Sequence, residues 1–282
     1  YHNKKKIKNF DELNIELLVV VESTPFYPEG GGQISDIGKI ENDSCSLLVT
    51  NVQKINNVIV HQVTIESGSI SIGDDIFLKI NTKRREKIAA NHSSTHLLNQ
   101  ALRDVLGEHV EQKGSLVTDK YLRFDFSHNK TLTSEEIRKI ETIVSFEIDS
   151  DRDTQQKISS YKDALKSGAL AFFDEKYSDD VRVVNIGTKS MELCGGTHVL
   201  KTSSIRLFKI ISESSVSTGI RRIEAITGEE AYYSYQVLHD DMKEISKFLN
   251  VKSTDLHKKI IDMKESESLK LTQFNELSKK LA

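Results

Sequence analysis

Short apolar runs separated by turn-forming residues fill roughly the first 82 residues of the chain. The runs are rich in Val and Ile, which suit the pleated surface of a sheet. Short strands at regular spacing predict a small β-barrel-like domain or a sandwich over residues 1–82. The predicted strands lie within IELLVVVE, GGQISDIGKIE, CSLLVTNV, NVIVHQVTI and DIFLKI.

From Thr82 onwards the period of the apolar positions becomes helical. The pattern predicts one long helix, TKRREKIAANHSSTHLLNQALRDVLG. Thr82 is expected to cap its start and Gly107 to end it. Leu98 and Ala101 fall on the face expected to contact the core.

The segment after this helix mixes strand and helix patterns. A polar loop is expected at 110–115, an alternating strand at 121–128, and a second helix at 133–148 that opens with a capping box of Thr133 and Glu136. Four more strands are predicted in VRVVNIG, SMELCGGTHV, SIRLFKIISES and GIRRIEAIT. Residues 83–228 are therefore predicted to be an α+β domain, an antiparallel sheet with long helices packed on it.

Helix-forming residues dominate 229–282. One helix is expected up to Asn250, and Ser253 or Thr254 is expected to cap another. Apolar residues in the last helix follow a 4,3 spacing that predicts either a coiled-coil arm capable of self-association or a helical hairpin. The apolar positions are Leu256, Ile260, Met263, Phe274, Leu277 and Leu281, with Glu267 and Lys270 interrupting the seam.

Composition limits the classes of protein to consider. The chain has 282 residues, a net charge of −3 and 37% hydrophobic residues, which is typical of a globular protein. We find no long apolar run and no secretory signal, and therefore expect a cytoplasmic protein without membrane contact. Two cysteines are too few for a disulfide framework. The start without Met and the end within a predicted helix indicate part of a longer chain.

Basic residues cluster locally although the net charge is negative. Such clusters are usually solvated faces, and each one also offers a place where phosphate can bind. They are Lys4, Lys5, Lys6 and Lys8; Lys83, Arg84, Arg85 and Lys87; and Arg221 and Arg222.

Two pairs of metal-binding residue types stand out. His92 and His96 are spaced four apart, and so are Cys194 and His198. Residues four apart lie on one face of a helix, so the two imidazoles of the first pair can hold one ion. Three imidazoles and one thiolate form the tetrahedral nitrogen and sulfur set that zinc prefers. We therefore predict a Zn²⁺ site that the fold assembles from two distant segments.

Either pair alone is more typical of an ordinary surface or core position than of a metal site. Gly195 and Gly196 beside Cys194 change that balance, because glycine lets the backbone approach a ligand closely. Four protein ligands close a zinc site, which favours a structural role. Thr95 beside His96 and the polar segment after the helix favour chemistry as well. HSSTH lacks the glutamate of HExxH, which argues against a peptidase.

The chain resembles the editing domain shared by alanyl-tRNA synthetase and the free-standing alanyl-tRNA editing proteins, and more distantly that of threonyl-tRNA synthetase. The resemblance is carried, in order, by HSSTHLLNQALRDVLGEHVEQKGSLV, YLRFDFSH, ELCGGTHV and GIRRIEAITGEEA. FYPEGGGQISDIG resembles the glycine-rich motif of the β domain that precedes it. The resemblance covers about residues 15–230. The class II aminoacylation motifs are missing, so we expect no activation of alanine by this chain.

The resemblance implies a zinc-associated aminoacyl-tRNA deacylase that acts on the acceptor end of tRNA(Ala) carrying serine or glycine. It implies that His92, His96, Cys194 and His198 hold the metal. Thr95 and Gln112 are expected to line the amino-acid pocket and, with Cys194, to serve catalysis. Substrate contacts are expected from Arg222 and from the glycine-rich motif, Gly30, Gly31, Gly32 and Gln33.

The logic of proofreading agrees with that assignment. An apolar pocket rejects an added hydroxyl only about a hundredfold, so a synthetase for alanine needs a second site. Two alternatives remain open: a threonyl-type or free-standing editing domain for Ser-tRNA, and a non-catalytic tRNA-binding module with a structural zinc. The β domain and the IRRIEAITG segment favour the alanyl family.

Overall fold

The computed structural model describes residues 9–10, 12–13, 15–171 and 179–281. The lysine-rich start of the chain lies outside the described residues. Two compact units divide the chain, Tyr1–Ala231 and Tyr232–Ala282. The predicted boundary near residue 82 falls inside the first unit and stays a prediction.

The described residues before the first helix contain seven strands, of which five overlap the predicted segments, while the two-residue strands at 9–10 and 70–71 were not predicted. The seven strands are β1 (Asn9–Phe10), β2 (Glu16–Val19), β3 (Gly38–Glu41), β4 (Ser46–Ile55), β5 (Val58–Ser67), β6 (Ile70–Ser71) and β7 (Phe77–Ile80). Five of them form an antiparallel sheet in the order β2-β5-β4-β3-β7, while β1 pairs with β6. Among the described residues β2 and β7 do not pair with each other. The sheet is therefore open, and the predicted barrel-like closure is not found.

Alternation along β4 and β5 determines which side of this sheet is buried. Leu47 and Val49 on β4 and Val63 on β5 are fully buried in one hydrophobic cluster. Asn56 and Asn57 join the two strands with positive φ angles of 48° and 66°. Asparagine tolerates this left-handed conformation, which a tight two-residue hairpin requires.

A long helix begins the rest of the first unit. The elements are α1 (Thr82–Leu106), β8 (Gln112–Val117), β9 (Leu122–Ser127), α2 (Ser134–Asp149), β10 (Gln155–Ser160), α3 (Tyr161–Lys166), β11 (Asp180–Ile186), β12 (Ser190–Leu193), β13 (Phe208–Ser217) and β14 (Ile220–Thr227). Asn81, not Thr82, caps α1, because the Asn81 side chain accepts the backbone N–H of Arg84. Both residue types cap helices well, so the sequence did not distinguish them. Gly107 ends the helix as predicted, with a φ of 116°.

The described strands after α1 form two antiparallel sheets, whereas the sequence predicts one. Their orders are β13-β14-β9-β8 and β10-β11-β12. Residues 110–115, predicted as a loop, contain the start of β8, which pairs with β9 through a bulge between Gln112 and Gly114. β8 is an edge strand of this sheet, and on its outer side only the isolated bridge between Val117 and Gln33 pairs with it. A polar edge strand has the composition of a loop.

Helices α1 and α2 supply the core of this part together with the four-stranded sheet. The predicted capping box at the start of α2 is confirmed, since Thr133 and Glu136 each accept the other's backbone N–H. Leu98 from α1, Ile140 from α2 and Phe124 from β9 are fully buried in one cluster. The mixed helix and antiparallel-sheet architecture is therefore confirmed.

The second unit contains most of α4 (Gly228–Leu249) and all of α5 (Leu256–Leu281). Ser253 and Thr254, predicted to cap α5, instead lie in a short 3₁₀ turn before it. Leu256 is buried, while Phe274 and Leu281 are exposed. The coiled-coil pairing of this helix stays a prediction. Within the described residues, every helix falls short of the length and apolarity that crossing a membrane requires.

Candidate functional site

The middle of α1 is enclosed by protein, since every residue from 88 to 99 is buried. A helix buried all round is normally apolar, so the polar side chains here need partners. The Asn91 amide donates to the Thr118 carbonyl at 2.8 Å and accepts from the Thr227 hydroxyl at 2.7 Å. The Thr95 hydroxyl donates to the carbonyl of Asn91 at 3.0 Å. These bonds fix the helix and therefore the position of its histidines.

Four donor side chains converge beside this part of α1. His92 and His96 come from the helix, and Cys194 and His198 from the loop after β12, with one potential ligand atom of each within 4.8 Å of the others. Sγ of Cys194 lies 3.4 Å from Nε2 of His92 and 3.3 Å from Nε2 of His198. The two segments that the sequence pairs into one site thus meet in the structure.

The loop that carries Cys194 is fixed from β11. The backbone N–H of Cys194 donates to the Arg182 carbonyl at 3.0 Å. The Arg182 guanidinium in turn donates to the carbonyls of Cys194 and Gly196. An added Cβ at Gly196 would overlap the imidazole of His92, whereas a Cβ at Gly195 would meet open space. Only the second glycine of the pair is therefore required by close approach.

Each imidazole also has a partner at its second nitrogen. Nδ1 of His92 lies 2.6 Å from Oε1 of Gln33, Nδ1 of His96 bonds to the Glu192 carboxylate, and Nδ1 of His198 lies 3.3 Å from the Ser93 hydroxyl. Such partners fix the tautomer and orientation of metal-binding histidines. They leave the Nε2 atoms as the nitrogens available to an ion.

Electrostatics favour a thiolate in this cluster. Burial alone would raise the pKa of Cys194, but the charge of His92 and hydrogen bonds from His198 and His92 hold that pKa well below the value of a free thiol. Burial and the charge of His92 lower the pKa of His198 to about 3. Burial opposes protonation of His96, yet the Glu192 carboxylate raises the pKa of His96 to about 10.

The donor set fits zinc. Three imidazole nitrogens and a thiolate are its preferred ligands. Among the described residues Nε2 of His96 is buried without a hydrogen-bond partner, and a metal ligand bond would satisfy it. Four protein donors would close the coordination shell, as the sequence suggests.

A cavity of about 590 Å³ opens beside the donor set. His92, His96 and Cys194 form part of its wall, together with Thr95 from α1 and Gln112 from β8. Its wall also includes Gly30, Gly31, Gly32, Lys54, Lys113 and Glu192. The cavity therefore brings together most residues that the sequence proposed for the site, including three of the glycine-rich motif.

Two predicted substrate contacts lie elsewhere than the cavity wall. Gln33 is buried, and its Oε1 accepts from His92 and from the Thr197 backbone N–H at 2.9 Å. Arg222 forms a two-bond ion pair with Asp125 at 2.7 and 2.8 Å. Direct contact of these side chains with substrate stays a prediction, while their observed contacts are with protein.

Sequence reasoning missed three residues that support the donor set. Glu192 and Ser93 each contact a histidine, and Arg182 holds the Cys194 loop. Only the position of Glu192 could have indicated its role. It precedes Cys194 by two residues in a predicted strand, and residues two apart face the same side of a strand. Nothing in the spacing of Ser93 or Arg182 marks either as part of a site.

Within the described residues, most members of the two basic clusters after the lysine-rich start are paired with acids. Arg84 contacts Asp119, Arg85 contacts Asp36, Lys87 contacts Glu229 and Glu230, and Arg221 contacts Glu213. These basic side chains therefore have acidic partners within the protein, and phosphate binding by either cluster stays a prediction.

Two segments of the chain match known protein families. Residues 1–84 match the family described as tRNA synthetases class II (A). Residues 181–224, which include Cys194 and His198, match the threonyl and alanyl tRNA synthetase second additional domain.

Individual relatives agree with the family matches. The chain is 46% identical over 266 residues to an alanine–tRNA ligase of Cupriavidus necator, covering 94% of this chain and 30% of that protein. It is 50% identical over 226 residues to one of Bdellovibrio bacteriovorus, covering 79% of this chain and 25% of that protein. Against alanine–tRNA ligase 1 of Lachnoclostridium phytofermentans the identity is 44% over 265 residues, with coverage of 94% and 30%. The chain thus spans less than a third of the length of these relatives.

Proposed function

The chain corresponds to the editing region of the alanine–tRNA ligase family, and from that premise we propose that it hydrolyses mischarged Ser-tRNA(Ala) or Gly-tRNA(Ala). Water would add across the ester, giving the free amino acid its carboxylate and returning the hydroxyl to the terminal ribose. The observation that carries the proposal is the cavity that Thr95 and Gln112 line together with three of the four donors, His92, His96 and Cys194.

Recognition of serine follows from the polar wall of the cavity. The Thr95 hydroxyl donates its proton to Asn91, so its oxygen remains available to accept the hydroxyl of a seryl group. The Gln112 amide lies 3.3 Å from the Ser115 hydroxyl on the same strand and offers further hydrogen-bonding capacity. An alanyl group would leave the acceptor capacity of the buried Thr95 oxygen unused, which disfavours the correct product. Glycine would enter because it is smaller.

A zinc ion is part of this proposal because four side chains could bind it. His92, His96, Cys194 and His198 would hold Zn²⁺, which when bound supplies a positive charge able to polarise water or to anchor a substrate group. The chain's own residues position the ester: the backbone of Gly30, Gly31 and Gly32 lines one wall without side chains.

Two lysines at the cavity support the proposal that the substrate includes an RNA end. Lys54 and Lys113 are both among the lining residues, and ammonium groups complement the phosphates of a tRNA acceptor strand. Lys113 also forms a 2.9 Å ion pair with Glu111, so it is held at the cavity wall. Because charged tRNA is a cytoplasmic substrate, we place the activity in the cytoplasm.

A second candidate function has one observation in its favour. The donor set already contains four protein ligands, and closed sites of this kind are usually structural. A tRNA-binding module with a structural zinc is therefore the alternative. It predicts tRNA binding without hydrolysis.

Release of serine from purified Ser-tRNA(Ala) distinguishes the two. We expect the zinc-loaded chain to release serine faster than spontaneous hydrolysis and to leave Ala-tRNA(Ala) largely intact. Bound but unhydrolysed Ser-tRNA would support the structural alternative. A preference for Ser-tRNA(Thr) over Ser-tRNA(Ala) would favour a threonyl-type editing domain instead.

Self-association through α5 is the remaining part of the proposal. Ile260, Met263, Phe274 and Leu277 are exposed at the 4,3 spacing typical of a helix seam. Sedimentation over a range of concentrations tests it, with Phe274→Lys as the variant expected to favour the monomer.

A further inference from the structure

Glu192 is the least expected member of this site. It lies on β12, and its side chain is only 2% exposed. Its Oε2 bonds to Nδ1 of His96, and its Oε1 accepts from the Asn99 amide at 2.8 Å. Among the described residues, no lysine or arginine forms an ion pair with Glu192. A buried carboxylate requires a hydrogen bond or a positive charge to offset its loss of hydration, and here the bond to His96 supplies it.

The partners of the other two imidazoles are neutral. His92 is bonded to the Gln33 amide oxygen and His198 to the Ser93 hydroxyl. Orientation of a ring needs only a hydrogen-bond acceptor, which these neutral groups provide. The single ionisable partner therefore supplies something beyond orientation.

The charges of the zinc-loaded site indicate what Glu192 supplies beyond orientation of the ring. Zinc carries two positive charges, the three imidazoles are neutral when they bind it, and the thiolate carries one negative charge. The loaded set alone would retain one buried positive charge, which a low-dielectric interior disfavours. An ionised Glu192 brings the sum to zero through its bond to His96.

We propose that Glu192 is a positioning residue whose carboxylate holds His96 for the metal and neutralises the residual charge of the loaded site. The inference rests on the proposed zinc site and extends it to a residue outside the ligand set. It predicts that zinc affinity depends on Glu192 even though Glu192 is not among the four ligands.

Glu192→Gln is a sharp test because the fold can accommodate the amide. The new oxygen can face His96 while the new amide group faces Asn99. The Oδ1 of Asn99 has no partner among the described residues, so a flip of the Asn99 amide would let that atom accept. Hydrogen bonding is then retained, and only the charge is removed.

Zinc affinity is measured by competition with a chromophoric chelator on the purified full chain. Partners of metal ligands typically contribute about 10–100-fold to metal affinity, and we expect Glu192→Gln to weaken binding within that range. Glu141→Gln is the matched control. Glu141 also accepts a hydrogen bond in the same unit, from the Ile210 backbone N–H at 2.9 Å, and is not part of the donor set. We expect the control to bind zinc as the unmodified chain does.

Cobalt(II) substitution gives a readout that loss of folding would not mimic. We expect the visible absorption bands of the cobalt-loaded chain to shift in Glu192→Gln and to remain unchanged in Glu141→Gln, while far-ultraviolet circular dichroism stays native for both. A folded Glu192→Gln with zinc affinity within about threefold of the unmodified chain, and with the same cobalt bands, overturns the inference alone. Failure of the unmodified chain to bind zinc overturns the metal site as well.

Discussion

Two pairs of histidines in this molecule have nearly the same mutual geometry. The ring centroids of His92 and His96 are 5.2 Å apart with an interplanar angle of 19°. Those of His109 and His128 are also 5.2 Å apart, at 28°. Distance between imidazoles therefore does not distinguish a candidate metal site from an ordinary surface pair.

The difference lies in what each nitrogen contacts. In the second pair, Nε2 of His109 and Nδ1 of His128 share a 2.9 Å hydrogen bond, so these nitrogens are used by each other. In the first pair, protein partners bind the Nδ1 atoms, and the Nε2 atoms face the Cys194 thiol or lack a partner. A metal site requires free donor atoms held by other groups, as well as proximity.

Removing the Cys194 thiol should cause the largest change in the first pair's site, in both zinc affinity and serine release. We expect Cys194→Ala to reduce zinc affinity and serine release by more than about a hundredfold, since a ligand contributes more than the 10–100-fold of a ligand's partner. His128→Ala should change neither quantity. Equal zinc affinity of Cys194→Ala and the unmodified chain, measured by chelator competition, would remove Cys194 from the donor set.

Withdrawal of zinc should destabilise the chain. A ligand at about a hundred times its dissociation constant stabilises the folded state by about 2.7 kcal/mol. We therefore expect the free energy of unfolding to fall by a similar amount when a chelator is added. The same loss in a His92→Ala variant would show that the chelator acts elsewhere.

The two neighbouring glycines offer a matched pair. Gly196→Ala would force a Cβ onto the His92 imidazole, and overpacking of this kind costs about 1–3 kcal/mol. Gly195→Ala meets open space and should be nearly neutral. Urea unfolding of both variants checks this, and equal stabilities would contradict the close approach at Gly196.

Thr95→Val tests the cavity beside the first histidine pair. The change keeps the shape of the side chain and removes the proposed acceptor for a seryl hydroxyl. A hydrogen bond lost in a polar site corresponds to about tenfold in rate. We expect hydrolysis of Ser-tRNA(Ala) to fall by that factor relative to Gly-tRNA(Ala), which has no hydroxyl to lose. An unchanged ratio of the two rates would place Thr95 outside recognition.

The pair of His109 and His128 should make only a small, pH-dependent contribution to stability. Burial and the neighbouring His109 lower the pKa of His128, so the unfolded state binds its proton more readily than the folded state does. The associated stability is present above pH 6.5 and is lost as the pH falls through the lowered pKa. His128→Gln should reduce this pH dependence, with a stability change within about 0.5 kcal/mol at pH 7. An identical stability profile between pH 7 and 5 in both proteins would contradict it.

Local patterns predicted the elements better than their assembly. The helix over α1, the capping box of α2 and the strand over β9 follow from periodicity and capping chemistry within a few residues. The barrel-like closure is not found among the described strands, because pairing between edge strands depends on sheet twist and not on the apolar pattern. The polar edge strand β8 was missed for lack of a periodic signal.

The sequence by itself indicated which four side chains could serve as metal donors, because two pairs of metal-binding residue types occur in it at a spacing of four. Only the tertiary structure decided which groups hold those donors. Gln33 and Glu192 reach His92 and His96 from elements far away in the chain. A contact between distant segments depends on how sheets and helices pack, and that packing leaves no periodic trace in the residues that make the contact.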